Sequence, residues 1–94
     1  MQRAFKWDPV KARSNAIRHG ISFKMAVEVF FDPDAVYFED VVHSTAVERR
    51  DMVIGLSWKG VLLVVFTERH PATRIITARK ANAHERRLYE EQQN

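Results

Sequence analysis

Residues 60–81, GVLLVVFTERHPATRIITARKA, decide the fold of this 94-residue chain. The run from Val61 to Phe66 is apolar without a break and rich in β-branched residues, which predicts a strand buried on both faces at the centre of a sheet. Residues 73–79 are again β-branched, and the proline in the intervening segment 69–72 suits a loop and not a strand interior. The stretch therefore predicts an apolar hairpin with four cationic residues, Arg69 and Arg74 at its tip and Arg79 and Lys80 at its open end.

The composition is that of one globular domain over residues 1–94, with residues 91–94 expected to fray. Hydrophobic residues make up 46% of the chain and charged residues 29%, which argues against disorder. The absence of cysteine excludes disulfides, thiolate metal sites and cysteine nucleophiles. The first residues, MQRAFKWDP, lack the apolar core of a signal peptide, and no apolar run is long enough for a bilayer. We therefore expect a cytoplasmic protein with no membrane partner.

Charge is distributed unevenly along the chain. Residues 1–24 contain six Lys or Arg and one Asp, residues 25–48 contain six Asp or Glu and no Lys or Arg, and residues 59–87 contain seven Lys or Arg and two Glu. This segregation predicts a basic face, and such a face attracts polyanions, nucleic acid first. The alternative is a set of scattered, solvated cations on a small basic domain.

Cap residues and apolar spacing predict three helices around the sheet. The first covers residues 9–19, with Asp8 as N-cap and Gly20 as the stop; the second covers residues 23–31 after Ser22; the last follows Asn82 in an N-x-x-E capping box. Alternation predicts further strands at 35–38 and 48–57, while residues 5–7 read as a strand or as an anchor on the core. The expected class is α+β, with two N-terminal helices packed on an antiparallel sheet of about four strands and a closing C-terminal helix.

A register estimate assigns side chains to the two faces of this sheet. If Ser57 lies opposite Gly60 and Glu68 opposite Thr73, paired residues share a face. The predicted core face, on which the first two helices should pack, presents Met52, Ile54, Leu63, Val65, Ile76 and Ala78. The predicted functional face presents Arg49, Asp51, Gly55, Glu68, Thr73, Thr77 and Arg79. Arg74 and Arg79, five residues apart in one strand, should then lie roughly 16 Å apart on opposite faces.

The sequence contains no established metal or nucleotide pattern, so we expect no metal and no cofactor. Its four histidines lack the spacings of a zinc site, and its three glycines form no phosphate-binding loop. Metal-free cleavage of a phosphodiester requires a base, positive charge at the phosphate and an acid. Candidates for these roles are Glu68 or His43 as base, Arg79 and Arg49 as the positive charge, and Tyr89, Lys80 or a histidine as acid. The structural alternatives are an ordinary ion pair for Glu68 and an exposed polar residue for His43.

Further residues are candidates for contact with a bound RNA strand. Trp58 lies in a predicted turn, where its ring is available for stacking on a base, whereas Trp7 is better explained by core packing. The remaining RNA-binding candidates are Arg50, Arg69, Arg74 and Tyr89.

Several motifs occur in a definite order: FKWDPVKA (5–12), NAIRHGISF (15–23), VFFDP (29–33), HS (43–44), ER (48–49) and RIITARKA (74–81). Read together, they resemble the BrnT family of bacterial type II toxins. The resemblance implies a RelE-like fold and a metal-independent endoribonuclease that arrests growth. It also implies a neutralising antitoxin of the BrnA type, a ribbon-helix-helix protein through which alone operator DNA would be contacted.

The same resemblance indicates which arginines serve function. The family's functional arginines fall in the segments matched by residues 78–80 and 48–50, and Thr77 stands where many relatives have serine. The rival reading of the chain is a non-catalytic basic module that binds RNA or a protein.

Overall fold

Within residues 3–93, five strands form one mixed sheet at the centre of the protein. The computed structural model describes residues 3–93. In chain order the elements are β1 (Ala4–Lys6), α1 (Pro9–His19), α2 (Phe23–Ala26), a 3₁₀ helix (Val27–Phe31), β2 (Val36–Glu39), β3 (Asp51–Ser57), β4 (Gly60–Arg69), β5 (Ala72–Lys80) and α3 (Ala83–Glu91). Among these elements, no helix combines the length and apolar character that a membrane crossing requires.

The strands lie in the order β1-β5-β4-β3-β2, with β1 parallel to β5 and every other pair antiparallel. The α+β class and the central position of β4 are confirmed. The expectation of about four antiparallel strands is wrong by one strand, because the segment around Phe5 adds a parallel edge strand. The predicted pairings of Ser57 with Gly60 and of Glu68 with Thr73 are confirmed.

Local signals place the helix ends correctly. The Asp8 carboxylate accepts from the N–H of Val10 at 2.8 Å, and Gly20 ends α1 with φ of +70°. Asn82 and Glu85 form a complete capping box at the start of α3. The predicted second helix is a single α-helical turn followed by a 3₁₀ helix, since its β-branched and aromatic residues are weaker helix formers.

The last described residues continue from helix α3. Helix α3 runs to Glu91, and the N–H groups of Gln92 and Gln93 donate to the carbonyls of Tyr89 and Glu90 at 3.1 and 3.0 Å. Of the segment 91–94 that the sequence predicts to fray, residue 94 lies outside the described residues.

A β-bulge in β5 changes which side chains share a face. Phe66 pairs with Ile75, but the preceding Val65 pairs with Thr77, so Ile76 is an extra residue. Arg79 consequently pairs with Leu63, while Arg74 pairs with Thr67. Because Leu63 and Thr67 are four residues apart on β4, the two arginines lie on the same face. The prediction of opposite faces is wrong, since it assumed a regular strand.

The first two helices pack on the face that the register estimate assigned to function. Their buried residues Ile21, Phe23, Ala26 and Val29 form one core with Val53, Leu62, Val64, Phe66, Ile75 and Ala78. The predicted core face is therefore wrong. The central strands are apolar on both sides, and such strands carry no alternation that would indicate the more deeply covered face.

The opposite face is only partly covered. Helix α3 packs Tyr89 and Leu88 against Ile54 and Leu63. Tyr89 also donates from its hydroxyl to the carboxylate of Asp32 at 2.6 Å, which anchors the helix. The rest of this face, towards the β2–β3 loop, is left open.

Asn15 fixes α1 beside the edge of the sheet. Strand β1 pairs only with residues 72–74 of β5, so the backbone of Ala78 has no strand partner on that side. The buried Asn15 side chain takes the place of a strand, accepting from the N–H of Ala78 at 3.1 Å and donating to its carbonyl at 2.7 Å. Helix α1 thereby borders the open part of the sheet.

Gly55 permits close packing between β3 and the 3₁₀ helix. A Cβ at this position would lie 2.7 Å from Cγ1 of Val29 and 3.2 Å from Cβ of Ala35. We expect Gly55→Ala to lower the free energy of unfolding by about 1–3 kcal/mol, the usual cost of overpacking. Urea unfolding of the variant and its parent measures this difference. In the Val29→Ala background, Gly55→Ala should lower the free energy of unfolding by a smaller amount, because the Val29 methyl with which the new Cβ would clash is absent. A Gly55→Ala protein as stable as its parent would contradict the packing described.

Candidate functional site

The open part of the sheet forms a groove opposite the first two helices. Its volume is about 390 Å³, and it lies between the β2–β3 loop and the second half of β5. We call it the open-face groove, and it is lined by Asp40, Val42, His43, Arg50, Met52, Leu63, Val65, Ile76, Thr77 and Arg79. The floor is apolar, and the cationic and histidine side chains stand at its borders.

Arg79 is held at the groove by a two-pronged ion pair with Glu85. Nη1 and Nη2 donate to the two carboxylate oxygens at 2.8 and 2.9 Å, and Nη1 also donates to the carbonyl of Lys80 at 3.3 Å. The hydrogen bond with Glu85 raises the pKa of Arg79, and the same bond lowers the pKa of Glu85. Both side chains are therefore charged at neutral pH, and the guanidinium plane is fixed.

One edge of this guanidinium makes no hydrogen bond to the described part of the chain. Glu85 occupies the end between Nη1 and Nη2, whereas the side edge formed by Nε and the second N–H of Nη2 has no hydrogen-bond partner within residues 3–93. Two parallel N–H groups of this kind match the geometry of a phosphate or a carboxylate. Arg79 is thus oriented by one anion while its other edge remains able to bind a second.

His43 stands on the other border of the groove in a pair with Asp40. Its Nδ1 lies 2.9 and 3.1 Å from the two carboxylate oxygens of Asp40, which is only 10% exposed at its side chain. Because a carboxylate accepts hydrogen bonds and does not donate them, Nδ1 carries the proton and Nε2 of the neutral ring is an acceptor. None of the hydrogen bonds within the described residues involves Nε2. The pair therefore has the form of an oriented histidine base.

The loop that carries His43 is closed by Ser44. Its hydroxyl donates to the carbonyl of Asp40 at 2.8 Å and accepts from the N–H of Arg50 at 2.9 Å. The Glu48 carboxylate accepts hydrogen bonds from Nε of Arg50 at 3.1 Å and from Nη2 of Arg69 at 2.7 Å. These bonds lower the pKa of Glu48. The HS and ER motifs of the sequence thus build one structure, which presents His43 and Arg50 to the groove.

Glu68 and Arg49 are not brought to this groove. Glu68 accepts from Arg3 at 2.7 Å and from the hydroxyl of Thr73 at 2.9 Å, on the face that bears the first two helices. Arg49 donates to Asp51 at 2.9 Å and lines a separate pocket with Glu68. Because of the bulge at Ile76, these residues and Arg79 lie on opposite faces of the sheet. Glu68 forms an ordinary ion pair with Arg3, which is its structural role in place of a catalytic one.

The other predicted residues are dispersed. Tyr89 is 7% exposed, and burial, together with its bond to Asp32, raises its pKa to about 12, which does not suit an acid in an open groove. Trp58 is 84% exposed in the β3–β4 turn and lies outside the groove. Lys80 pairs with Leu62 and follows Arg79 on the other face of β5. Arg74 shares the face of Arg79 without lining the groove, and Arg69 is bound to Glu48.

The sequence reasoning missed two members of the arrangement. Asp40 is absent from the residues predicted from sequence, although the D-x-x-H spacing to His43 is a signal of a local carboxylate–histidine pair. Glu85 was interpreted as a helix cap alone, whereas it also orients Arg79. Within residues 3–93, no three His, Asp or Glu side chains converge as a metal site would require.

The comparisons with known proteins come to one positive finding. Residues 7–85 match a family model described as ribonuclease toxin, BrnT, of type II toxin-antitoxin system. A search of curated proteins gave no significant match. The matched segment includes His43, Arg50, Arg79 and Glu85, so it contains both borders of the open-face groove.

Proposed function

The chain belongs to the BrnT family of ribonuclease toxins of type II toxin-antitoxin systems, and from this premise we propose that it cleaves RNA in the open-face groove without a metal ion. The observation that carries the proposal is the pairing of two oriented groups across one groove. Among residues 3–93, Nε2 of the Asp40-bound His43 and the Nε/Nη2 edge of the Glu85-bound Arg79 have no hydrogen-bond partner. His43 accepts a proton, and Arg79 binds a phosphate.

In this mechanism, the 2′-hydroxyl of RNA gives its proton to Nε2 of His43, and the 2′-oxygen attacks the adjacent phosphorus. Negative charge grows on the non-bridging oxygens of the pentavalent phosphate, where the free edge of Arg79 and the nearby Arg50 stabilise it. The 5′-oxygen leaves with its bonding electrons and takes a proton from water in the open groove, and the imidazolium returns its proton to solvent. The products are a 2′,3′-cyclic phosphate and a 5′-hydroxyl end.

Asp40 acts through His43 and does not touch the substrate. Its carboxylate holds the ring in the tautomer that leaves Nε2 unprotonated, and it stabilises the imidazolium formed after proton transfer. It is the only carboxylate that lines the groove among the described residues, and it already binds His43. This supports a metal-independent reaction, since a divalent cation would have to compete with the histidine for its ligand.

The groove suits a single-stranded substrate. Its floor of Met52, Leu63, Val65 and Ile76 gives splayed bases an apolar surface, and cationic side chains at the borders face the phosphates. A base-paired helix would keep its bases stacked away from such a floor.

The family premise extends the proposal to the cellular setting. The toxin acts on RNA in the cytoplasm, arrests growth, and has the RelE-like arrangement of its superfamily. Its cognate antitoxin is expected to be a BrnA-like ribbon-helix-helix protein, which covers the basic groove with an acidic or amphipathic segment. Operator DNA is then contacted through the antitoxin.

The test of the reaction is cleavage of a single-stranded RNA by the purified protein in excess chelator. We expect cleavage to persist, with cyclic phosphate ends on the products. A matched RNA methylated at each 2′-oxygen should remain intact, because its nucleophile is blocked. Binding without cleavage would favour the non-catalytic module instead, and cleavage that stops on chelation would contradict the metal-free mechanism.

A further inference from the structure

We infer that α1 forms a second subsite for RNA, which binds phosphates of the strand beyond the scissile bond. The inference rests on the proposed function and adds Lys11 and Arg18 to the residues that contact the substrate. Neither residue belongs to the motifs from which a catalytic role was argued.

The first observation is the continuity of two cavities. A cavity of about 310 Å³ lies between α1 and β5, and it shares Arg50, Ile76 and Thr77 with the open-face groove. A strand that lies over Thr77, which is exposed, can therefore extend from Arg79 towards α1 across residues that line both cavities. The bulge at Ile76 is what places adjacent residues of β5 in both cavities.

The second observation is the charge of this cavity. Its wall carries Lys11, Ser14 and Arg18, at the spacing of one helix face, and no Asp or Glu lines it. Within the described residues, no salt bridge involves Lys11 or Arg18, whereas Arg49 and Arg69 each bind a carboxylate. Cations without a protein anion beside them are the ones available to neutralise phosphates.

The third observation is the rigid attachment of the wall. Asn15, one residue from Ser14, is 7% exposed and bonds to both backbone groups of Ala78. Lys11 and Arg18 are seven residues apart, a separation of roughly 10 Å along the helix axis. Two cations at this separation, fixed against β5, form a short track for successive phosphates of one strand. Among the described residues that line the cavity, Ile76 alone is apolar by type, and the others carry charge or hydrogen-bonding groups, which favours RNA over an amphipathic protein segment.

The experiment measures binding of the full chain to an uncleavable RNA as a function of salt concentration. The probe is a fully 2′-O-methylated single strand about twelve nucleotides long, within the range of single-strand binding sites. The test variant is Lys11→Ala with Arg18→Ala. The matched control is Arg13→Ala with Lys24→Ala, which removes the same charge from exposed positions that do not line the cavity.

For the test variant, we expect weaker binding and a log–log salt slope smaller by about 1.4, the loss of two single-strand phosphate contacts. The control should keep the slope of the parent. Cleavage of a dinucleotide, which has one phosphodiester and does not reach α1, should be the same in both variants and the parent. An equal loss of affinity in test and control variants would overturn the subsite.

An unchanged affinity in the test variant would also overturn it and would leave this face of α1 to a protein partner. Failure of the proposed cleavage reaction is distinguishable from failure of the subsite. Failure of the cleavage reaction is seen with cleavable RNA, whereas failure of the subsite is seen with the methylated probe.

Discussion

Replacing Arg79 with alanine is expected to lower the rate of RNA cleavage by about 100- to 1000-fold, which corresponds to roughly 3–4 kcal/mol in the barrier. The free Nε/Nη2 edge of Arg79 is the best-oriented cationic donor at the groove, since Glu85 fixes the plane of the guanidinium. Its removal leaves the charge that develops on the phosphate to Arg50. Single-turnover cleavage of a defined RNA measures the loss.

Arg79→Lys separates charge from geometry. Lysine retains the positive charge but lacks two parallel N–H groups, so we expect its rate to lie between those of the parent and Arg79→Ala. Glu85 keeps its bond to the N–H of Asn82 in both variants, and thermal unfolding should verify that both remain folded. Cells that express Arg79→Ala should grow. Growth arrest as strong as that caused by the parent would contradict the role of Arg79.

Replacing His43 with alanine is expected to lower the cleavage rate by about 10²- to 10⁴-fold, the usual contribution of a general base. Asp40→Asn should have a smaller effect in the same direction, because the ring remains but loses the carboxylate that orients it. Single-turnover rates for both variants check this order. Since His43 is 65% exposed at its side chain, its removal should leave stability almost unchanged.

The matched control for His43 is another exposed histidine. His70 lies in the turn between β4 and β5, away from the open-face groove, and His70→Ala should cleave at the parental rate. Equal losses in the two variants would mean that His43 has no special role. A loss in Asp40→Asn larger than that in His43→Ala would indicate that the carboxylate itself serves as the base.

The parts of the fold that depend on local chemistry were predictable. Asp8, Gly20 and Asn82 mark helix ends because capping requires particular side chains at particular positions. The hairpin around residues 70–71 follows from a proline between two β-branched runs. These signals are short-range, so one sequence suffices to interpret them.

The faces of the sheet were not predictable for two reasons, an insertion in β5 and the apolar character of both faces of β4. Ile76 is an insertion into the pairing of β4 and β5, and its apolar side chain gives no signal of that role. Everything after it changes sides, which brings Arg79 and Thr77 to the open face. The register of β3 and β4 was predicted correctly, but β4 is apolar on both faces, so the pattern could not show which face the helices cover.

The candidate site was predictable to the extent that it lies in motifs. His43, Arg50 and Arg79 stood among the sequence candidates, and the structure brings them to one groove. Asp40 lies three residues before His43, and this local spacing is a signal of their pair. The contact of Glu85 with Arg79 and the position of Lys11 and Arg18 beside β5 depend on tertiary structure, which no local pattern encodes. Glu68 and Arg49 were grouped with Arg79 by the regular register, but the bulge places Arg79 on the opposite face.

The claim that cleavage takes place on the open face is tested most directly by neutralising each face in turn. Single-turnover rates would be measured for two double variants. One combines His43→Ala with Arg79→Ala, and the other combines Arg49→Ala with Glu68→Gln. We predict that the first pair abolishes measurable cleavage while the second retains the parental rate, provided that both proteins are folded. Full activity in the first pair, with loss of activity in the second, would contradict the claim and place the reaction on the helix-bearing side of the sheet.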